Sequence, residues 1–224
     1  MSEAVSDTAQ SEDGYRSIRL ESLHRTQRYK LFMGSVVPRP IALASTLNAG
    51  GKVNVAPFSN FVVVSTSAAL LAFSIGSGDD GAREGSDQYD EKDTLRNIRA
   101  NGEFVINTVP DTLAHQVEAC ARYHPPDVSE ADETGLNLLP SSVIRTPRIS
   151  ECKVQFECRL HSMPVYGDSH LVIGHVVLMH ARDGLVRDFR IDPQEYAPLG
   201  RLVGKTYCRL GELIRIQGRS RNGG

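Results

Sequence analysis

Two stretches of this sequence gather residues that could do chemistry. The first runs from Pro38 to Asn60. Pro38-Arg39-Pro40-Ile41-Ala42-Leu43-Ala44-Ser45-Thr46 ends in two adjacent hydroxyls, and Asn54-Val55-Ala56-Pro57-Phe58-Ser59-Asn60 follows after a turn. Proline cannot donate to a strand ladder, so Pro57 marks a sheet edge or a bulge, with Ser59 and Asn60 beside it. Unpaired backbone groups there can face a ligand, and a planar heterocycle with amide-like edges suits such a place. The second stretch, Lys92-Asp93-Thr94, opens a helical pattern. A helix N-terminus presents backbone N–H groups and the positive end of the dipole, and the Lys92 ammonium and Thr94 hydroxyl add to both. Together the two stretches describe a phosphate cradle beside a flat binding edge. The plainer alternative is that Asp93 is an ordinary N-cap and that Ser45 and Thr46 merely end a strand.

Spacing argues against several other chemistries. Gly204-Lys205-Thr206 has the tail of a phosphate loop, but the glycine needed at position 199 is Leu199. No GxGxxG follows a strand, which leaves a dinucleotide-binding Rossmann unit unsupported. No GxSxG is present for a serine hydrolase. His170, His175 and His180 lie five apart on one expected strand, so His170 and His180 share a face but are roughly 30 Å apart. They cannot share an ion, and no metal site is expected. Of the four cysteines none forms a CxxC pair, and Cys152 and Cys158 on one strand lie roughly 20 Å apart, beyond disulfide reach. Reduced thiols and a cytoplasmic location are the expectation.

The elements that must position these residues are mostly strands. Ile41–Thr46, Val53–Val55, Phe61–Val64, Leu70–Ile75 and Phe104–Val109 are apolar runs of strand length, and Asn48-Ala49-Gly50-Gly51 is a turn signal. Cys152, Val154, Phe156, Cys158 and Leu160 alternate with Lys153, Gln155, Glu157, Arg159 and His161, which predicts one buried and one wet face. His170–Ala181 is a long strand, and Asp183-Gly184 signals a hairpin into Leu185–Phe189. Short helices are predicted after Asp93, stopped by Asn101-Gly102, and after Asp111. Gly76–Glu91 and Tyr123–Ser142 read as polar insertions. Hairpin-type links with few helices predict an antiparallel barrel or sandwich.

Composition sets the outer limits. The chain has 224 residues, 40% hydrophobic and 23% charged, with no tryptophan. The formal charge of -2, from 25 Lys+Arg against 27 Asp+Glu, gives no basic excess for nucleic acid. No apolar run reaches the ~18 residues of a membrane span, and the acidic N-terminus does not read as a secretory signal. A polar tail is expected over residues 1–22, one domain over 23–217 and a second tail over 218–224.

VPRPIALAST, NVAPFSNF and EKDTLRNI, followed by Asp168-Ser169-His170-Leu171-Val172-Ile173-Gly174-His175 and by Leu199-Gly200-Arg201-Leu202 with Tyr207, resemble the flavin reductase-like family of FMN-binding split barrels. The resemblance runs from about Tyr29 to Leu210. It implies a mainly β fold, a six-stranded antiparallel Greek-key split β-barrel, and a homodimer with FMN near the subunit interface. By position it implies that Ser45, Thr46, Ser59, Asn60, Lys92, Asp93 and Thr94 hold the phosphate and ribityl chain. Ala56, Pro57 and Phe58 would run along the isoalloxazine edge. His170 falls where members place a histidine near the nicotinamide, in a catalytic role. The implied activity is an FMN-dependent oxidoreductase, foremost an NADH- or NADPH-dependent flavin reductase that supplies reduced flavin to a partner monooxygenase. Two alternatives stand beside it. Bound FMN could act directly on a small organic substrate such as a nitroaromatic, or the barrel could be a carrier of flavin or haem.

Overall fold

The computed structural model describes residues 14–76, 91–122 and 129–216. Its elements, in chain order, begin with α1 (Arg25–Ser35), β1 (Ala42–Leu47), β2 (Val53–Phe58), β3 (Phe61–Ser65), β4 (Leu70–Gly76), α2 (Asp93–Asn101) and β5 (Glu103–Thr108). Then come α3 (Ala114–Cys120), α4 (Glu130–Thr134), β6 (Leu138–Leu139), β7 (Arg148–Ile149), β8 (Val154–Ser162), β9 (Val165–Tyr166) and β10 (Ser169–Ala181). The chain closes with β11 (Val186–Arg187), β12 (Arg190–Ile191), α5 (Pro193–Tyr196), β13 (Gly200–Arg201) and β14 (Tyr207–Cys208).

One antiparallel sheet of eight strands dominates, in the order β2-β1-β5-β8-β10-β4-β3, with β9 paired to the start of β10. It is the curled, mainly β sheet with few short helices that the sequence implies, with more strands than the six expected. Part of the surplus has a local origin. Met163-Pro164 separates β8 from β9, and both pair with the 13-residue β10, so one bent strand is divided into two.

Strand β1 is buried along its length and separates two cores. Ile41 and Leu43 join Val55, Val109, Leu113, Val117 and Ile149 on one side. Ala42 and Ala44 join Phe58, Phe73, Phe104, Leu95 and Ile98 on the other. Phe58 stacks on Phe73 at 5.0 Å, and Phe73 meets Phe104 edge-on at 5.7 Å. Helix α2 buries Leu95 and Ile98 and ends at Gly102 with φ of 67°, as the Asn101-Gly102 signal predicts.

Three expectations change, and one helix arises that none foresaw. Gln155 and Glu157, assigned to a wet face of β8, are 5% and 0% exposed because residues 138–149 cover that face. Gln155 Nε2 donates to the Ile149 and Cys152 carbonyls, and Glu157 accepts from the N–H groups of Ser142, Val143 and Ile144 and pairs with His180 Nε2 at 2.6 Å. The described end of the second insertion is structured: Ala131 and Leu136 are buried in the first core, while Glu130 reaches β2. Residues 77–90 and 123–128 of the two insertions, residues 1–13 and 218–224 of the tails, and residue 217 of the domain lie outside the described residues. Residues after Asp183-Gly184 do not return along β10 but form the small separate hairpin β11–β12. Helix α1 gives no sequence signal and buries none of its own residues.

Cys120, Cys152, Cys158 and Cys208 are unpaired. Burial pushes the Cys120 thiol up to about 11. At the C-terminal end, Tyr207 Oη donates to Glu118 Oε2 at 2.7 Å and Arg201 lies over the Tyr207 ring at 4.5 Å, fastening β13–β14 to α3. No helix among the described residues is long and apolar enough to cross a membrane.

Two measurements test this packing. A Cβ on Gly174 would lie 2.5 Å from Phe104 Cζ, and Phe104 is fully buried, so Gly174→Ala should cost about 1–3 kcal/mol in urea unfolding. Burial raises the Glu157 pKa, but the N–H groups and His180 outweigh it and hold the carboxyl below its ordinary 4.5. The unfolded chain therefore takes up this proton first as pH falls. The stabilisation is complete above about 4.5 and is lost as pH drops through the folded value. Glu157→Gln should flatten the stability–pH curve below that point. An unchanged acid limb in pH-dependent denaturation would sink the assignment.

Candidate functional site

The chemistry-bearing stretches meet between the β2 edge and the start of α2. Among the described residues β2 pairs only with β1, so its far side is a sheet edge, as Pro57 predicts. The Val55 N–H points outward and donates to Glu130 Oε2 at 2.9 Å. Pro57 has the same orientation and no N–H, so this edge offers its carbonyl as an acceptor. Ala56, Pro57 and Ser59 are half-buried and Asn60 is exposed. The Phe58 side chain belongs to the core, and its N–H and C=O face Ala42 of β1, as those of Ala56 face Ala44.

Helix α2 opens with Lys92 as N-cap, Asp93 and Thr94. The Leu95 and Arg96 N–H groups bond the Lys92 carbonyl. Those of Asp93 and Thr94 have no carbonyl within the helix, the usual state of a first turn. The Asp93 carboxylate pairs with Arg96. Thr94 Oγ1 accepts from Asn54 Nδ2 at 2.9 Å, and Asn54 also lies 3.4 Å from Thr46 Oγ1. Thr46 Oγ1 accepts in turn from Asn97 Nδ2 at 3.1 Å. An amide–hydroxyl cluster thus ties β1, β2 and α2 together below the helix N-terminus. Beside it, Asn48, Lys52, Asn54, Arg96 and Asn97 border a cavity of about 290 Å³.

The expected residues do not all converge. Neighbours on a strand point to opposite faces. Thr46 therefore faces α2, while Ser45 faces away and donates to the Pro147 carbonyl at 2.6 Å. Ser45 and Thr46 are both fully buried and Thr94 is 1% exposed, so their side chains brace the helix end from beneath. Lys92, Asp93 and the β2 edge form the reachable surface. His170 is half-buried at the start of β10, with Nε2 3.5 Å from Arg99 Nη2, and Arg99 also pairs with Glu91 next to Lys92. At the far end of β2, Arg39 Nε donates to Ser59 Oγ at 3.3 Å.

Sequence reasoning missed Asn97, Arg99 and the side-chain role of Arg39. Asn97 had a usable signal: it lies three residues after Thr94, so the two share a helix face that is otherwise apolar with Leu95 and Ile98. Among the described residues no cluster of His, Cys, Asp or Glu could hold a metal ion.

A curled antiparallel sheet with few short helices defines the split-barrel class of proteins, and comparison narrows it. Residues 33–199 match the flavin reductase like domain, and the chain belongs to that family. It is 31% identical to the Pseudomonas fluorescens 2-nitrobenzoate 2-nitroreductase NbaA, covering 93% of this chain and 98% of that one, with a TM-score of 0.80. It is 30% identical to nitrilotriacetate monooxygenase component B from Bacillus cereus, covering 89% and 98%, with a TM-score of 0.81. An uncharacterised protein of Bacillus subtilis strain 168, YwrF, is 37% identical over 201 residues, 86% of this chain and 93% of that one.

The amide–hydroxyl cluster yields its own test. Asn97→Leu keeps the branched shape but removes a donor from Thr46, which no water reaches. It should lower stability by about 1–3 kcal/mol in chemical denaturation, and a neutral result would show that the cluster does not hold α2.

Proposed function

We propose that this chain is an FMN-dependent oxidoreductase that accepts hydride from NADH or NADPH, and that its foremost activity is flavin reduction for a partner monooxygenase. The observation that carries this reading is the layout of the β2 edge. One end meets the cationic start of α2, and the other, roughly 16 Å away at ~3.3 Å per residue, is the Pro57–Asn60 corner. An elongate ligand with a phosphate at one end and a flat polar ring at the other suits that layout.

Lys92 and the Asp93 and Thr94 N–H groups hold the phosphate, and Thr46, Asn54 and Asn97 keep that helix end in place. Pro57 offers its carbonyl to the ring edge, between Ala56 and Phe58 whose N–H and C=O groups pair with β1, with Ser59 and Asn60 at the corner. Ser45 contributes from the opposite face by anchoring residue 147 against β1. FMN, when bound, supplies the hydride-accepting centre, so no side chain need act as a nucleophile. His170 orients the incoming nicotinamide or supplies a proton, and Arg99 beside it fixes its position.

We assign the FMN-binding unit to residues 23–217 and infer that a second copy completes it. The exposed Tyr29, Leu31 and Phe32 of α1 and Val62, Val63 and Val64 of β3 are the apolar surface such a partner would cover. A second reading, direct reduction of a small nitroaromatic by bound FMN, draws support from the similarity to a 2-nitrobenzoate 2-nitroreductase.

The visible spectrum of the purified protein, followed through anaerobic addition of NADH, tests the cofactor: flavin bands that bleach support the reading, and a haem Soret band overturns it. Turnover of free FMN or FAD separates a flavin reductase from an enzyme that needs an organic acceptor and releases flavin slowly. Lys92→Ala should weaken FMN binding by about 1–3 kcal/mol in a fluorescence titration, and unchanged affinity would remove Lys92 from the phosphate end.

A further inference from the structure

Arg39 is 6% exposed, and its guanidinium faces three carbonyls and a hydroxyl. Nη1 donates to the Met33 and Val36 carbonyls at 2.6 and 2.8 Å, Nη2 to the Leu202 carbonyl at 2.8 Å and Nε to Ser59 Oγ at 3.3 Å. Met33 and Val36 sit at the C-terminal end of α1, where carbonyls lack helical donors. Leu202 lies just after β13, whose Arg201 also exchanges backbone hydrogen bonds with Arg39 at 3.0 and 2.9 Å. One side chain thus joins three segments: α1, the β13–β14 hairpin and the Ser59 corner of the β2 edge.

Capping α1 does not require a buried cation. A neutral amide or a glycine turn can serve a helix C-terminus at lower desolvation cost. The contact with Ser59 is what a guanidinium adds. Because Ser59 Oγ accepts from Arg39, its own hydrogen remains available to donate to a ligand acceptor. The planar fork reaches all four acceptors at once, which the single ammonium of lysine cannot reproduce.

We propose that Arg39 is a positioning residue: it aims the Ser59 hydroxyl at the ligand edge and couples that hydroxyl to the seating of α1. This rests on the FMN reading above. A purely structural role, holding α1 alone, predicts no energetic link between Arg39 and Ser59 in ligand binding.

The test is a double-mutant cycle on FMN affinity, joined to amide hydrogen exchange. Arg39→Lys and Ser59→Ala should each weaken FMN binding about tenfold, and the double variant should bind within about twofold of the weaker single variant. Exchange over residues 33–37 and 200–203 should quicken in Arg39→Lys and stay unchanged in Ser59→Ala without FMN. Losses that simply add in the double variant, or wild-type affinity in folded Arg39→Lys, overturn the proposal. Should Arg39→Lys fail to fold, the other two proteins decide. FMN must slow exchange over 33–37 in wild type, and that protection must be lost in Ser59→Ala; no protection in wild type overturns the coupling. A wild-type protein that binds no FMN defeats the functional reading itself, a result distinct from FMN binding that ignores Arg39.

Discussion

Strand β1 is buried on both faces, and a strand so placed must satisfy every polar group it carries without help from water. Its two hydroxyl residues show the consequence. Ser45 finds the Pro147 carbonyl on one side and Thr46 finds the Asn97 amide on the other. Each bond pins a different neighbour against the strand, residue 147 below one core and α2 beside the other. The small side chains of Ala42 and Ala44 leave room in the second core for the stacked Phe58 and Phe73. Phe58 then anchors the end of β2, and the β2 edge takes its course from that anchor.

The edge we propose for the ligand is consequently a composite. Its helix end comes from α2, its rail from β2, its flank from the start of β10 through His170, and its far corner depends on Arg39 before β1. No two of these lie in one continuous motif, yet every one of them touches β1, a direct neighbour of β1 or α2. A family resemblance carried by separated short motifs is what such an assembly produces. The motifs mark where the chain returns to the same place.

Most strands were legible because apolar runs bounded by turn signals have few other solutions, and α2 was legible from its cap and its glycine stop. The face of β8 was not. Gln155 and Glu157 alternate with apolar residues in the pattern of a solvated face, and only the covering segment 138–149, with its N–H groups aimed at Glu157, makes their burial tolerable. Helix α1 escaped for the opposite reason, since it has no buried stripe to create a period. Within the site, the types at Lys92, Asp93, Thr94 and the Pro57 corner were readable as chemistry. The direction of each hydroxyl was not, because Ser45 and Thr46 are adjacent letters on opposite faces. Asn97 and Arg39 act through bonds to residues 51 and 20 positions away, a separation that local pattern does not record.

The two borders of the main sheet have different fates. Along β3, three successive valines are exposed on a border that nothing among the described strands closes. Along β2, the outward N–H of Val55 is already taken by Glu130, and Pro57 has none to give. An incoming polypeptide strand needs alternating donors and acceptors to extend a ladder, and at Val55 and Pro57 it would find acceptors without donors. A small ring bearing one or two N–H groups needs only the acceptors. Around Val55 and Pro57 the β2 border therefore refuses the strand addition that leads to aggregation, so an edge left unpaired need not be a site of self-association.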